Sequence, residues 1–229
     1  EHMNYLSTVL QKTDSQDIDD MIEAIEYSFD IIFEEKELSE INSIRALCNL
    51  ICSKINFLQR DTCTTQQAFY KFRKAYYHTQ NTTISLHTTS LLTDIFPKKQ
   101  RRQNLAQIEK ELGIKIHVLQ PSTWISSALL LLFVGCIVLL LTSPMLAIVG
   151  LISTVTTYIL MHKFASRFTI HSVKELITII VKENYQKLRS SDTYNPKEIE
   201  PIVISYFKDQ LGLDDTKVDQ YATFKRHNF

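Results

Sequence analysis

Residues 124–162 read WISSALLLLFVGCIVLLLTSPMLAIVGLISTVTTYILMH and decide the fold, because no Asp, Glu, Lys or Arg occurs in them. The two halves of the stretch, 124–142 and 145–163, are each 19 residues long. At 1.5 Å per residue, either helix is about long enough to cross a ~30 Å hydrocarbon core. Pro144 lies between the halves and disfavours one continuous helix. The sequence therefore predicts two transmembrane helices joined by a very tight turn.

A buried helical hairpin in a soluble protein is the alternative interpretation. It would need a large apolar partner, and the rest of the 229-residue chain offers little that could cover two such helices. Apolar residues at helical spacing on both sides of the hairpin predict a mainly α fold. We expect four regions in chain order: a cytosolic helical domain at 3–96, a basic juxtamembrane connector at 97–121, the transmembrane hairpin at 122–163 and a small helical C-terminal cytosolic region at 164–229.

The charge distribution predicts the topology. The chain has 25 basic and 25 acidic residues, so its net charge gives no steering toward nucleic acid. Basic residues flank the hairpin on both sides, and the positive-inside rule then puts both termini in the cytoplasm of a two-pass protein of the cell inner membrane. The same cations are expected to contact lipid head groups of the bilayer. They are Lys98, Lys99, Arg101, Arg102, Lys163 and Arg167.

Small and hydroxyl-bearing residues recur on one face of the second hydrophobic helix. Gly150, Ser153, Thr154 and Thr157 have the spacing i, i+3, i+4, i+7. Such a face lets two membrane helices approach closely. The simpler interpretation is that it packs on the first helix of the same hairpin, and the other is that it forms a homo-oligomer contact or lines a pore.

The sequence contains no complete catalytic motif, and no cofactor or metal site is expected. Cys48 and Cys52 share a helical face, but they fall within an apolar stripe in which a free cysteine packs as a small hydrophobic side chain. The leading hypothesis is a non-enzymatic integral membrane protein that holds cytosolic helical interaction domains, and through them a protein partner, at the inner face of the membrane. The alternative is an oligomeric pore-forming or channel-type effector gated by its cytosolic domains.

Residues 199–224, IEPIVISYFKDQLGLDDTKVDQYATF, resemble the opening of acyl carrier proteins. The resemblance consists of an amphipathic helix that ends in Leu211-Gly212, an acidic loop, Val218 and a final Ala-x-Phe. The serine that carries phosphopantetheine in that family has no counterpart here, so the resemblance does not imply carrier function. The order of a basic segment, a hairpin and this tail is also similar to that of bacterial two-helix membrane proteins.

Overall fold

A computed structural model describes residues 15–80, 84–121, 123–163, 165–190 and 192–212, and of His162 and Lys163 it describes only the backbone. Eleven helices contain more than two thirds of the described residues, so the mainly α prediction is confirmed. The helices are α1 (Ser15–Phe29), α2 (Glu35–Ser39), α3 (Ile44–Lys54), α4 (Thr64–Gln80), α5 (Leu92–Ile95), α6 (Arg101–Leu112), α7 (Thr123–Leu139), α8 (Pro144–Lys163), α9 (Val173–Glu183), α10 (Tyr185–Leu188) and α11 (Pro196–Leu211). Four strands of two residues each are β1 (Leu58–Gln59), β2 (Leu119–Gln120), β3 (Arg167–Phe168) and β4 (Thr193–Tyr194).

The chain folds as two compact units, and both are discontinuous in sequence. Of the described residues, the first unit combines 15–74, 112–115, 177–190 and 192–212, and the second combines 75–80, 84–111, 116–121, 123–163 and 165–176. The sequence predicts four consecutive regions, and no local pattern indicates that segments on either side of the hydrophobic hairpin share one core.

The core of the first unit is built by helices from both ends of the chain. Helix α11 packs on α1 and α3, and α10 packs on α1. Strands β1 and β4 form a parallel pair in which Leu58 lies opposite Thr193. Large apolar side chains from these helices are buried, and they include Ile25, Phe29, Leu47, Ile51, Ile199, Val203 and Phe207. Each helix supplies one apolar stripe, which is the pattern that a helix buries against its neighbours.

A buried arginine ties the two ends of the chain together inside the first unit. The Arg189 side chain is fully buried and its Nη1 atom lies 3.2 Å from Glu198 Oε2. Its other hydrogen bonds go to the carbonyl oxygens of Arg60 and Thr62 and to the hydroxyls of Thr62, Thr64 and Thr193. A guanidinium carries five N–H donors, so a buried arginine needs such a set of acceptors.

Helix boundaries follow the signals in the sequence. At the start of α11, Asn195 Oδ1 accepts a hydrogen bond from the backbone N–H of Lys197 at 3.1 Å, and Pro196 occupies the first turn. Gly212 ends the helix with a positive φ of 62°. Proline inside a helix removes a backbone donor and commonly kinks or ends the helix, yet α11 begins at Pro196 and contains Pro201.

Candidate membrane-inserting hairpin

Helices α7 and α8 fold back on each other within the second unit, as the hydrophobic stretch predicts. Helix α7 ends at Leu139 rather than at the predicted residue 142. The next three N–H groups, of Leu140, Leu141 and Thr142, donate to carbonyl oxygens three residues earlier. This tighter turn geometry is common at helix ends. The link to α8 is therefore only the four residues 140–143.

Most of the surface of the hairpin is apolar and uncovered. Of the 27 exposed large apolar side chains among the described residues, 20 lie between Trp124 and Leu160. In the segment Pro144–Met161 only 11% is buried, and its mean hydropathy is 1.8. A hairpin at the core of a soluble protein would be mostly buried, so the described structure disfavours that alternative.

By length and composition, one helix of the described chain can cross a bilayer, and it is α8. Helix α7 is the shorter apolar helix of the pair, with 17 residues. At 1.5 Å per residue the two helices extend about 26 and 30 Å. The sequence predicts two spanning helices, whereas only α8 is long and apolar enough by these criteria, so the two crossings belong to the proposal below.

The two helices are in close contact at Gly150. A Cβ atom at this position would lie 2.7 Å from Cys136 Sγ, which is shorter than any normal non-bonded contact. Ala147 and Thr154 are buried beside it, and Thr154 Oγ1 donates to the Gly150 carbonyl at 2.7 Å. Small residues therefore let the backbones approach, as is typical of helix pairs in membranes.

Only two of the four residues that were predicted to form one packing face lie at the contact between the two helices. Gly150 and Thr154 lie at the contact with α7, whereas Ser153 and Thr157 are exposed. The Thr157 hydroxyl donates to the Ser153 carbonyl at 2.8 Å, so it is satisfied within its own helix. At 100° per residue, position 153 lies about 60° around the helix from position 150, and position 157 lies about 20° from it, two turns further along.

We expect the Gly150→Ala variant to lose about 1 to 3 kcal/mol of hairpin stability, because the new methyl group overpacks against Cys136. Thermal unfolding in detergent, followed by the fluorescence of the single tryptophan, Trp124, measures the loss. Adding Cys136→Ala should restore most of it by removing the sulfur atom. Gly135→Ala is the matched control, since nothing lies within 4 Å of its added Cβ. Equal behaviour of the two alanine variants would contradict this account of the packing.

The base of the hairpin is held by a short antiparallel strand pair. Strand β2 precedes α7 and β3 follows α8, with Leu119 opposite Phe168. The Thr169 N–H donates to the Val118 carbonyl at 3.1 Å and extends the pair. The entry and exit of the hairpin are thereby joined before the apolar helices begin.

Arg101, the first residue of α6, also stabilises the base of the hairpin. Its guanidinium donates to the carbonyl oxygens of Phe96 and Ser166 and stacks over the Phe168 ring at 4.3 Å. Burial lowers the pKa of this arginine from its usual value. Arg101 was predicted to contact lipid head groups, but its side chain is only 7% exposed and serves packing instead.

The other predicted head-group cations are differently placed. Lys98, Lys99, Arg102 and Arg167 are exposed. Arg167 also donates to the Thr123 hydroxyl at 3.3 Å, next to the start of α7. The side chain of Lys163 lies outside the described part of the chain. Sequence alone could not separate Arg101 from Arg102, because only the fold reveals which of two adjacent cations turns inward.

No protein-family model, no curated protein and no solved structure matches the chain. The resemblance to acyl carrier proteins at 199–224 therefore stays a prediction. Of its residues, 199–212 form the end of α11 and its glycine cap, and 213–224 lie outside the described residues.

Proposed function

We propose that this chain is a two-pass integral protein of the cell inner membrane, with both termini in the cytoplasm. In this role it is a non-enzymatic anchor that holds helical interaction domains at the inner face of the membrane. The observation that carries the proposal is the uncovered apolar surface of α7 and α8, with 20 exposed large apolar side chains. Removing such a surface from water is favourable by roughly 25 cal/mol per Å². A bilayer supplies the apolar environment along the whole hairpin.

The tip of the hairpin suits a crossing by both helices. The turn at 140–143 contains no charge, and Leu141 and Met145 beside it are 87% and 80% exposed. Pro144 at the start of α8 has no backbone N–H. The first turn of α8 therefore has one fewer donor that needs a hydrogen-bond acceptor at the tip of the hairpin. With its terminal turn, α7 extends about 30 Å, since turn residues of this kind rise about 2 Å each. Both helices thus match the thickness of a hydrocarbon core.

The first unit supports the placement of both flanks on one side. Its core joins residues before the hairpin, such as Leu47, to residues after it, such as Val203. Strands β1 and β4 pair across the same interval of sequence. A folded domain cannot form from segments on opposite sides of a bilayer, so this unit supports an even number of crossings. The basic flanks then favour the cytoplasmic side.

Cysteine labelling tests the two crossings. Cys63 is the exposed one of the four cysteines, and burial raises the pKa of the Cys48 thiol to about 12, so this thiol forms little reactive thiolate. We expect a variant with Cys63→Ser and Thr142→Cys to react with a membrane-impermeant maleimide in intact bacterial spheroplasts. The wild-type Cys63 should react only in inverted vesicles. Labelling of residue 142 only after inversion would contradict a hairpin that crosses the membrane.

The acidic face of α1 supports a role in protein binding. Asp19, Asp20 and Glu23 on this helix are exposed in the first unit. A basic partner surface would be attracted to them, and such attraction speeds and orients association. The hairpin would keep this surface beside the membrane.

An oligomeric pore has less support as the alternative. Its best feature is the exposed Ser153 and Thr157 face of α8. The hydroxyl of Thr157, like that of neighbouring Thr156, is satisfied by a carbonyl oxygen one turn earlier. These groups can therefore face lipid without needing a water-filled lumen.

A further inference from the structure

A cavity of about 420 Å³ opens in the second unit beside the base of the hairpin. One wall is a face of α6 and the other is the segment 116–120, which leads through β2 to α7. Gln120 lies three residues before α7, and Ala165 lies two residues after α8. If the hairpin spans a bilayer, this cavity lies at the depth where lipid head groups meet the cytoplasm.

Two opposite charges share the cavity. Arg102 and Glu109 are seven residues apart on α6, which is about two turns, so both point to the same side of the helix. Leu105 and Leu119 supply the apolar part of the lining, and His117 and Gln120 add polar groups. The lining thus combines a cation, an anion and apolar surface at the edge of the membrane.

Arg102 is placed to bind an anion. Its neighbour Arg101 is buried and donates to two carbonyl oxygens. Arg102 is exposed and forms no ion pair with another residue of the described chain. The planar guanidinium presents donors in a fixed fork that matches the geometry of a phosphate group.

Glu109 is held in place as the anionic end of the cavity. Its Oε1 atom accepts the backbone N–H of Ile116 at 2.7 Å, which fixes the carboxylate against the opposite wall. A second oxygen of the same carboxylate can accept a hydrogen bond from an ammonium group. A purely anionic head group would meet repulsion at this point, whereas a head group with both charges would not.

The lining residues also favour a primary ammonium group over a quaternary ammonium group. A quaternary ammonium has no N–H and is typically bound within a cage of aromatic rings. Among the described residues that line this cavity, none is Phe, Tyr or Trp. A primary ammonium donates directly to a carboxylate, so Glu109 favours ethanolamine over choline.

We infer that the cavity binds the phosphoethanolamine head group of a membrane lipid, with its phosphate on Arg102 and its ammonium on Glu109. This inference rests on the proposed insertion of the hairpin, which delivers the cavity to the head-group layer. The inference names one lipid class and one binding site. It is therefore more specific than the general attraction of basic residues to an anionic membrane surface.

Native mass spectrometry of the full chain released from nanodiscs tests the site. The probes are phosphatidylethanolamine, phosphatidylcholine and phosphatidylglycerol with identical acyl chains, mixed in equal amounts. We expect adducts of phosphatidylethanolamine to exceed those of each of the other two lipids by about tenfold, the effect of one charge-assisted hydrogen bond. Equal retention of the ethanolamine and choline lipids, or a preference for phosphatidylglycerol, would overturn the inference.

Matched variants on α6 locate the effect. Arg102→Gln and Lys110→Gln each remove one positive charge from α6, but only residue 102 lines the cavity. Glu109→Gln keeps an acceptor for the Ile116 N–H, and Glu111→Gln removes the same charge two residues away. The ethanolamine preference should vanish in the 102 and 109 variants and persist in the 110 and 111 variants. Its loss in all four, or in none, would refute the assignment.

Incorporation of each protein into the nanodiscs is scored separately. A chain that enters nanodiscs without a preference for ethanolamine lipids contradicts the head-group site alone. A chain that fails to enter them contradicts the proposed insertion as well.

Discussion

The double variant Leu131→Lys and Ile152→Lys is expected to lose membrane insertion almost completely. Leu131 is 73% exposed at the midpoint of α7, and Ile152 is 64% exposed near the middle of α8. Lysine at the centre of a membrane helix costs about 2.5 to 3.5 kcal/mol on an insertion scale, so the two together cost about 5 to 7 kcal/mol. The fraction of protein that resists alkaline carbonate extraction from membranes measures the result.

The same change would be harmless in a soluble protein, because both side chains already face outward. The control is Ile32→Lys with Leu91→Lys, which replaces two apolar side chains that are 79% and 49% exposed outside the hairpin. This control should remain in the membrane pellet. If the hairpin variant is also retained there, the exposed surface of α7 and α8 is not covered by lipid.

The Arg189→Met variant is expected to lose about 3 to 5 kcal/mol of the unfolding free energy of the first unit. The change leaves Glu198 facing the vacated site, and removing one partner of a buried ion pair has a cost of this size. It also removes the donors that serve the carbonyl oxygens of Arg60 and Thr62. Urea denaturation followed by circular dichroism, with hydrogen exchange of the α11 amides, measures the loss.

An exposed ion pair in the same unit, formed by Lys197 at the start of α11 and Asp61, provides the control for Arg189. Lys197 lies 3.0 Å from Asp61, and both side chains are more than half exposed. Lys197→Met should therefore change the stability by less than about 1 kcal/mol. A double variant with Arg189→Met and Glu198→Leu should recover part of the loss, because no unpaired carboxylate remains. Equal losses in the Arg189 and Lys197 variants would show that the buried network contributes little.

Local features of the fold could be predicted from the sequence, because their causes are local. The hairpin follows from a run without charges. The bounds of α11 follow from the Asn195 cap, Pro196 and Gly212. At the start of α9, the Ser172 hydroxyl oxygen accepts the Glu175 N–H and the hydroxyl donates to the Glu175 carboxylate, which is similar to the capping box that a Ser-x-x-Glu sequence favours.

Features that depend on distant residues could not be predicted in this way. The acceptors of Arg189 come from residues up to 129 positions away, and no local pattern connects them. The division between Gly150 and Ser153 required knowing which side of α8 meets Cys136. The candidate lipid cavity likewise depends on the pairing of α6 with residues 116–120.

The discontinuous first unit has a consequence for the order of events during synthesis. Its core cannot close until residue 177 has left the ribosome, about a hundred residues after residue 74. At 5 to 20 residues per second this interval lasts roughly 5 to 20 seconds. During it, the apolar faces of α1 and α3 have no α11 to cover them. If the hairpin crosses the membrane as proposed, a single crossing would leave the two parts of the unit on opposite sides, so only a double crossing would let this core close.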